Sequence, residues 1–127
     1  MPFDGNDDES RIEILDKLDD VIALLSDKRH WCQRQLQTAD GRYCIGGAMM
    51  AVGATLALRA PILQAIEQVT GRDYARIERF NDHPGTTHRL VINVLHKARE
   101  NMICGAVAAR TVEHRIGPSA RWCQILS

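Results

Sequence analysis

The stretch Cys44-Ile45-Gly46-Gly47-Ala48-Met49-Met50-Ala51-Val52-Gly53-Ala54 is small and apolar on nearly every side. A helix of that composition has no polar face to give to water, so it suits a central position packed closely by its neighbours. Each glycine in it weakens a helix by roughly 1 kcal/mol relative to alanine, and tertiary contacts have to compensate. The rest of the chain must therefore supply amphipathic elements that surround this one.

It does so at helical spacing. Ile12, Leu15, Leu18, Ile22 and Leu25 recur every three or four residues, and Ser10 with Glu13 has the form of a capping box, which predicts a helix over 10–26. Asp27 is placed to cap a second helix through Leu36 that carries Trp31 and Cys32, ahead of a turn at Thr38-Ala39-Asp40-Gly41. The central helix is predicted from Tyr43 or Cys44 to about Leu58. Pro61 suits the first turn of the next, with Ile62, Leu63, Ile66 and Val69 as its apolar face and Gly71 as its end. Asp73 can cap a short helix bearing Tyr74, Ile77 and Phe80. After Pro84-Gly85, Thr86 or Thr87 opens the longest helix, with Leu90, Val91, Val94, Leu95, Ala98 and Met102 on one side.

No window alternates apolar and polar residues for long, so a sheet is not expected beyond a minor ribbon around Gly41-Arg42-Tyr43. The fold class is all-α, a single-domain bundle of about five or six helices around the small-residue helix. The 127 residues are enough for one domain with a real core. Residues 1–9 read as an acidic mobile arm, 10–109 as the helical domain, and 110–127 as a basic tail in which Gly117-Pro118-Ser119 turns the chain before Trp122.

Sixteen basic and sixteen acidic residues cancel, which disfavours a general nucleic-acid binder. The balance is uneven along the chain: residues 1–20 sum to −6, and the chain from Arg89 onward sums to +4. No basic segment leads into an apolar run at the N-terminus, and no stretch approaches the roughly 20 apolar residues that span a bilayer. A cytoplasmic protein without membrane attachment is expected, with Cys32, Cys44, Cys104 and Cys123 as reduced thiols.

Two clusters carry chemistry-capable side chains at predicted helix starts: Cys44 with its following glycines, and Phe80-Asn81-Asp82-His83-Pro84-Gly85-Thr86-Thr87. A cysteine-dependent hydrolase or transferase would use Cys44 as nucleophile, its pKa lowered by unpaired N–H groups at the helix start. His88 or His83 would be the base, Asp82 or Asn81 would orient it, and the N–H groups of Ile45 and Gly46 would stabilise an oxyanion. The same residues equally suit structural work, because buried free cysteine is a common core residue and Asn or Asp before Pro-Gly commonly bonds local backbone. His30, Cys32, Cys44, His83 and His88 include no closely spaced pair of ligands, so no metal site and no cofactor are expected.

Protein binding is the reading that remains. The acidic arm, the Met49-Met50 pair and the tail with Arg110, Arg115, Arg121 and Trp122 suit a partner surface, for another protein or for a second copy of the chain. The expected function is that of a small non-enzymatic interaction or regulatory protein.

The motif order Trp31, Asp40-Gly41, Cys44-Ile45-Gly46-Gly47-Ala48, Phe80-Asn81-Asp82, Pro84, Thr87 and a helix to Ala98 resembles a family of small uncharacterised bacterial and phage proteins. The similarity covers roughly residues 12–99. It implies a compact helical fold and no known activity, supplies no catalytic residues, and leaves the basic tail as an addition suited to a specialised partner.

Overall fold

The computed structural model describes the backbone of residues 3–111 and the side chains of residues 11–104. Among the described residues five helices, α1 Phe3–Leu25, α2 Ile45–Val52, α3 Thr55–Thr70, α4 Ile77–Asp82 and α5 His88–Thr111, are joined by one 3₁₀ turn at Lys28–His30 and an irregular segment from 31 to 44. The described residues contain no strand, and the all-α bundle is as expected. The two isolated bridges both fall on Tyr43, one parallel with Trp31 and one antiparallel with Gln37.

The core follows from the periodic apolar positions. Leu18, Val21 and Leu25 of α1 and Val91, Val94, Leu95 and Ala98 of α5 are buried, and they meet Leu58, Ile62, Ala65 and Ile66 of α3. α5 lies along both α3 and α1, and α2 sits against α1 and α4. Ile45, Gly46, Gly47, Ala48 and Met49 are buried, so the small-residue helix is central at its N-terminal end. Its far end is open, since Met50 is 58% exposed.

Several boundaries differ from the sequence expectation, each for a local reason. α1 starts at Phe3, so Ser10 with Glu13 lies inside a helix rather than capping its start, and the backbone of the expected acidic arm is helical from Phe3 onward. Residues 27–36 are not a helix. Asp27 does cap a turn, accepting from Arg29 N at 2.9 Å, but the turn ends at His30 because Trp31 is extended and the His30 carbonyl is taken by Tyr43 N at 2.8 Å. The predicted helix to Leu58 breaks at Gly53, whose left-handed backbone (φ 74°) closes α2, with Ala54 N donating to Met49 O. α3 then begins at Thr55, which puts Pro61 within the helix instead of its first turn. α4 starts at Ile77 without a side-chain cap; Tyr74 lies outside it and meets Phe80 edge-on at 5.8 Å. α5 begins as expected beside Thr87, whose hydroxyl accepts from Leu90 N at 3.2 Å.

α2 owes its place to one close approach. A β-carbon on Gly47 would overlap the Leu36 carbonyl oxygen and lie 2.7 Å from the Leu36 carbonyl carbon. Both are backbone atoms with nowhere to go. Gly47→Ala should therefore lower unfolding free energy by about 3 kcal/mol or more. Gly53→Ala, where open space surrounds the new carbon and only the left-handed backbone is strained, should cost about 1–2 kcal/mol. Urea unfolding of the two variants beside the parent checks the order.

Candidate functional site

The two chemistry-bearing clusters do come together, and the residue at their centre is Asn81. Its side chain is fully buried at the C-terminal end of α4, and both of its amide groups are used twice. Oδ1 accepts from the Trp31 indole Nε1 at 2.8 Å and from Ile45 N at 3.1 Å. Nδ2 donates to the Cys32 carbonyl at 3.1 Å and to Asp82 Oδ1 at 3.0 Å. The Asn81 carbonyl accepts from Gln33 Nε2 at 2.9 Å, and the same amide nitrogen reaches the His83 carbonyl at 3.1 Å. One short polar side chain thus holds the 31–44 segment against the start of α2. Among the described residues no buried side-chain nitrogen or oxygen lacks a partner.

Asp82 extends this network outward. Its Oδ1 also accepts from Arg34 N at 2.7 Å, and Arg34 is the one described residue other than glycine with a left-handed backbone, φ 71°. Such a conformation costs of order 1–3 kcal/mol, and the charge-assisted bond to Asp82 offsets part of it.

Cys44 is the N-cap of α2, as its position before the glycines suggested. Its extended backbone and Sγ close the helix start, with Sγ accepting from Gly47 N at 3.3 Å. The expected lowering of its pKa does not follow. Burial pushes the thiol up; the N–H groups of Gly47 and Gly46 act the other way but are outweighed, and the Asp82 and Glu78 carboxylates add to the rise. The helix start acts in the anticipated direction and burial wins.

Neither histidine shares a hydrogen bond with Cys44. His88 Nε2 lies 2.6 Å from the Leu25 carbonyl, which can only accept, so Nε2 carries the proton and the ring closes the C-terminus of α1. Its ring centroid is 6.1 Å from that of Trp31. His83 Nδ1 accepts from Gly85 N at 2.9 Å, while Nε2 stands 3.4 Å from Arg72 Nη1. Asp82 is bonded to Asn81 and Arg34 N, not to an imidazole. The structure joins Asn81 and Asp82 in one network, sets Cys44 next to it through the Ile45 N–H that Asn81 binds, and gives His83 and His88 separate structural partners.

Of the expected partner-binding residues, Arg110 lies in the backbone of α5 but its side chain is outside the described residues, as are Arg115, Arg121 and Trp122 altogether. Cys32 and Cys44 are free thiols and Cys104 is disulfide-bonded, which corrects the reading of it as a thiol. Among the described residues no group of three or more His, Cys, Asp or Glu is placed to hold a metal ion, and no helix is long and apolar enough to cross a membrane.

A second feature opens where the network ends. Leu36, Met49, Met50, Arg59, Arg76 and Glu78 line a groove of about 410 Å³ between α2, α3 and α4. Leu36 and Met50 are 46% and 58% exposed on its rim. Sequence reading singled out Met49-Met50 but missed Leu36, Arg59 and Arg76, because only the break at Gly53 and the unfolding of the expected 27–36 helix bring these together.

Residues 9–101 match a family described as a Family of unknown function (DUF6197). The chain belongs to that family. The match covers Trp31, Asp40-Gly41, Cys44, Asn81 and Asp82, the residues that form or flank the Asn81 network, and it stops before the tail. No curated protein matches the chain, and no solved structure does.

Asn81→Leu should cost about 3–5 kcal/mol in urea unfolding, since it strands the Trp31 indole, Ile45 N and the Cys32 carbonyl; Trp31→Phe, which removes one donor and leaves Oδ1 its bond from Ile45, should cost about 1 kcal/mol. A second outcome concerns pH. Because the folded thiol of Cys44 sits above its unfolded value, the native state holds its proton longer than the unfolded state does. Stability should be unaffected below the ordinary thiol range, about 8.5, and fall as pH rises past it. Cys44→Ser, which keeps a capping oxygen, should remove part of that alkaline loss in thermal melts, the remainder belonging to Cys32, which burial also raises.

Proposed function

We propose that this is a small non-enzymatic interaction or regulatory protein, acting through protein–protein contacts in the cytoplasm of a bacterium or a phage-infected cell. The observation that carries the reading is the division of labour between the two features above. The residues with chemical capability are spent on holding the fold, and apolar side chains are left exposed around the groove that Leu36 and Met50 rim. Half-exposed methionine and leucine beside guanidinium groups are the composition of a contact surface.

The groove also indicates the kind of partner. Arg59 and Arg76 line it with Glu78, and among the described residues neither arginine is in an ion pair. A segment that presents an apolar anchor next to an acidic side chain fits this arrangement. The basic tail with Arg115, Arg121 and Trp122 extends the same proposal beyond the described residues.

A cysteine-dependent hydrolase or transferase needs an imidazole on Cys44. The bonds that His88 makes to Leu25 O and His83 to Gly85 N lend that reading no support.

Met50→Glu with Leu36→Glu should lower capture of a partner at least tenfold, about 1.4 kcal/mol or more of binding, while far-UV circular dichroism and melting temperature stay close to those of the parent. Cys44→Ser should leave capture intact. Quantitative affinity purification with all three proteins measures this, and sedimentation velocity of the parent and the double variant detects a second copy as the partner. Full capture by the double variant would sink the groove as the contact surface.

A further inference from the structure

The 31–44 segment holds two thiols that the interaction proposal does not use. Tyr43 N donates to the His30 carbonyl at 2.8 Å and Cys32 N donates to the Tyr43 carbonyl at 3.0 Å, which is the pattern of a parallel pair with Trp31 opposite Tyr43. Trp31 and Cys44 both have extended backbone. Side chains alternate along extended chain, so Cys32 and Cys44, each one residue past the Trp31 and Tyr43 pair, leave their backbones on the same side. Adjacent extended segments lie about 4.8 Å apart, within the roughly 4.4–6.8 Å between α-carbons that a disulfide requires. Asn81 fixes this register from behind, bonding the Cys32 carbonyl and the N–H of Ile45, the residue after Cys44.

We infer that Cys32 and Cys44 are a dithiol pair that peroxide oxidises to an intramolecular disulfide. Cys32 is half-buried and Cys44 buried, which assigns their order. The Cys32 sulfur, its proton lost, attacks one oxygen of hydrogen peroxide; the O–O bond breaks, one water leaves and Cys32 becomes a sulfenic acid. The Cys44 sulfur, its proton lost in turn, attacks the Cys32 sulfur; the S–S bond forms, the S–O bond breaks and the second water leaves. Two thiols give up two electrons in all, and one peroxide becomes two waters. A dithiol reductant reverses the change.

Both thiols are held above their ordinary range, Cys32 by burial first and then by Cys44 beside it, and Cys44 by burial. Thiolate is therefore scarce at neutral pH, and the oxidation should be slow there and quicken as pH rises. The bond would fasten the 31–44 segment, which carries Leu36 at the rim of the groove, to the start of α2. The inference does not depend on the groove binding anything.

The test treats the full-length native protein with hydrogen peroxide, blocks remaining thiols, and maps tryptic peptides without reduction. Peptides 30–34 and 43–59 should appear joined, two hydrogens lighter than their sum, and separate again with dithiothreitol. In Cys32→Ser, whose melting temperature is checked against the parent, Cys44 should stay unoxidised at the same exposure. The inference is overturned if Cys32 is recovered as sulfinic or sulfonic acid or joined to a second copy of the chain while Cys44 is unchanged. It is overturned as well if both thiols survive, or if Cys44 oxidises equally in Cys32→Ser.

Discussion

The side chain of Asn81 is the constraint on which the rest of this molecule is arranged. Four hydrogen bonds from one amide tie together Trp31, Cys32, Ile45 and Asp82, which come from three places in the chain path: the extended segment at 31–32, the start of α2 and the end of α4. A buried amide with every position filled is favourable only in one geometry, because any slip leaves a donor or acceptor without water or partner. The irregular 31–44 segment, which has no ladder of its own, therefore has a single defined path. That path in turn brings the Leu36 carbonyl onto the face of Gly47 and leaves no room there for a side chain.

The same constraint explains why the chemistry-capable residues do not form a catalytic site. Cys44 stands next to the Asn81 network as the cap of α2, and its sulfur is committed to Gly47 N in a buried setting that holds the proton on. His88 is drawn to the end of α1, whose Leu25 carbonyl would otherwise lack a partner, and His83 folds back on Gly85. Each imidazole satisfies a loose end of the backbone. A triad needs an imidazole with one nitrogen on the nucleophile and the other on a carboxylate, and here those positions are taken by carbonyl and amide groups.

Some of this was legible in the sequence. The apolar faces of α1, α3 and α5 follow from spacing, and the ends of α3 at Gly71 and of the loop before α5 at Pro84-Gly85 follow from glycine's tolerance of left-handed backbone and proline's fixed φ. The motif order that resembles the family picked out Trp31, Cys44, Asn81 and Asp82 before any geometry was known. What the sequence could not show was that Trp31 would leave a helix to reach Asn81, fifty residues away, since the local propensity of 27–36 favours a helix and the competing partner is remote. The Gly53 break and the extension of α1 to Phe3 were equally hidden: a glycine in a small-residue helix has the same appearance whether it packs or turns.

The sequence by itself determined the all-α class, the elements that are buried and the short list of residues around which the loops gather. Periodicity and backbone preference are properties of neighbours along the chain, and a single sequence displays them. Only the tertiary structure decided what those residues do. Whether Cys44 meets an imidazole or a glycine N–H, whether Asn81 turns a loop or binds three segments, and whether Met50 fills the core or faces water all depend on distances between residues far apart in sequence. Hydrogen bonds and burial are decided within a few ångströms, and only folding brings such residues that close.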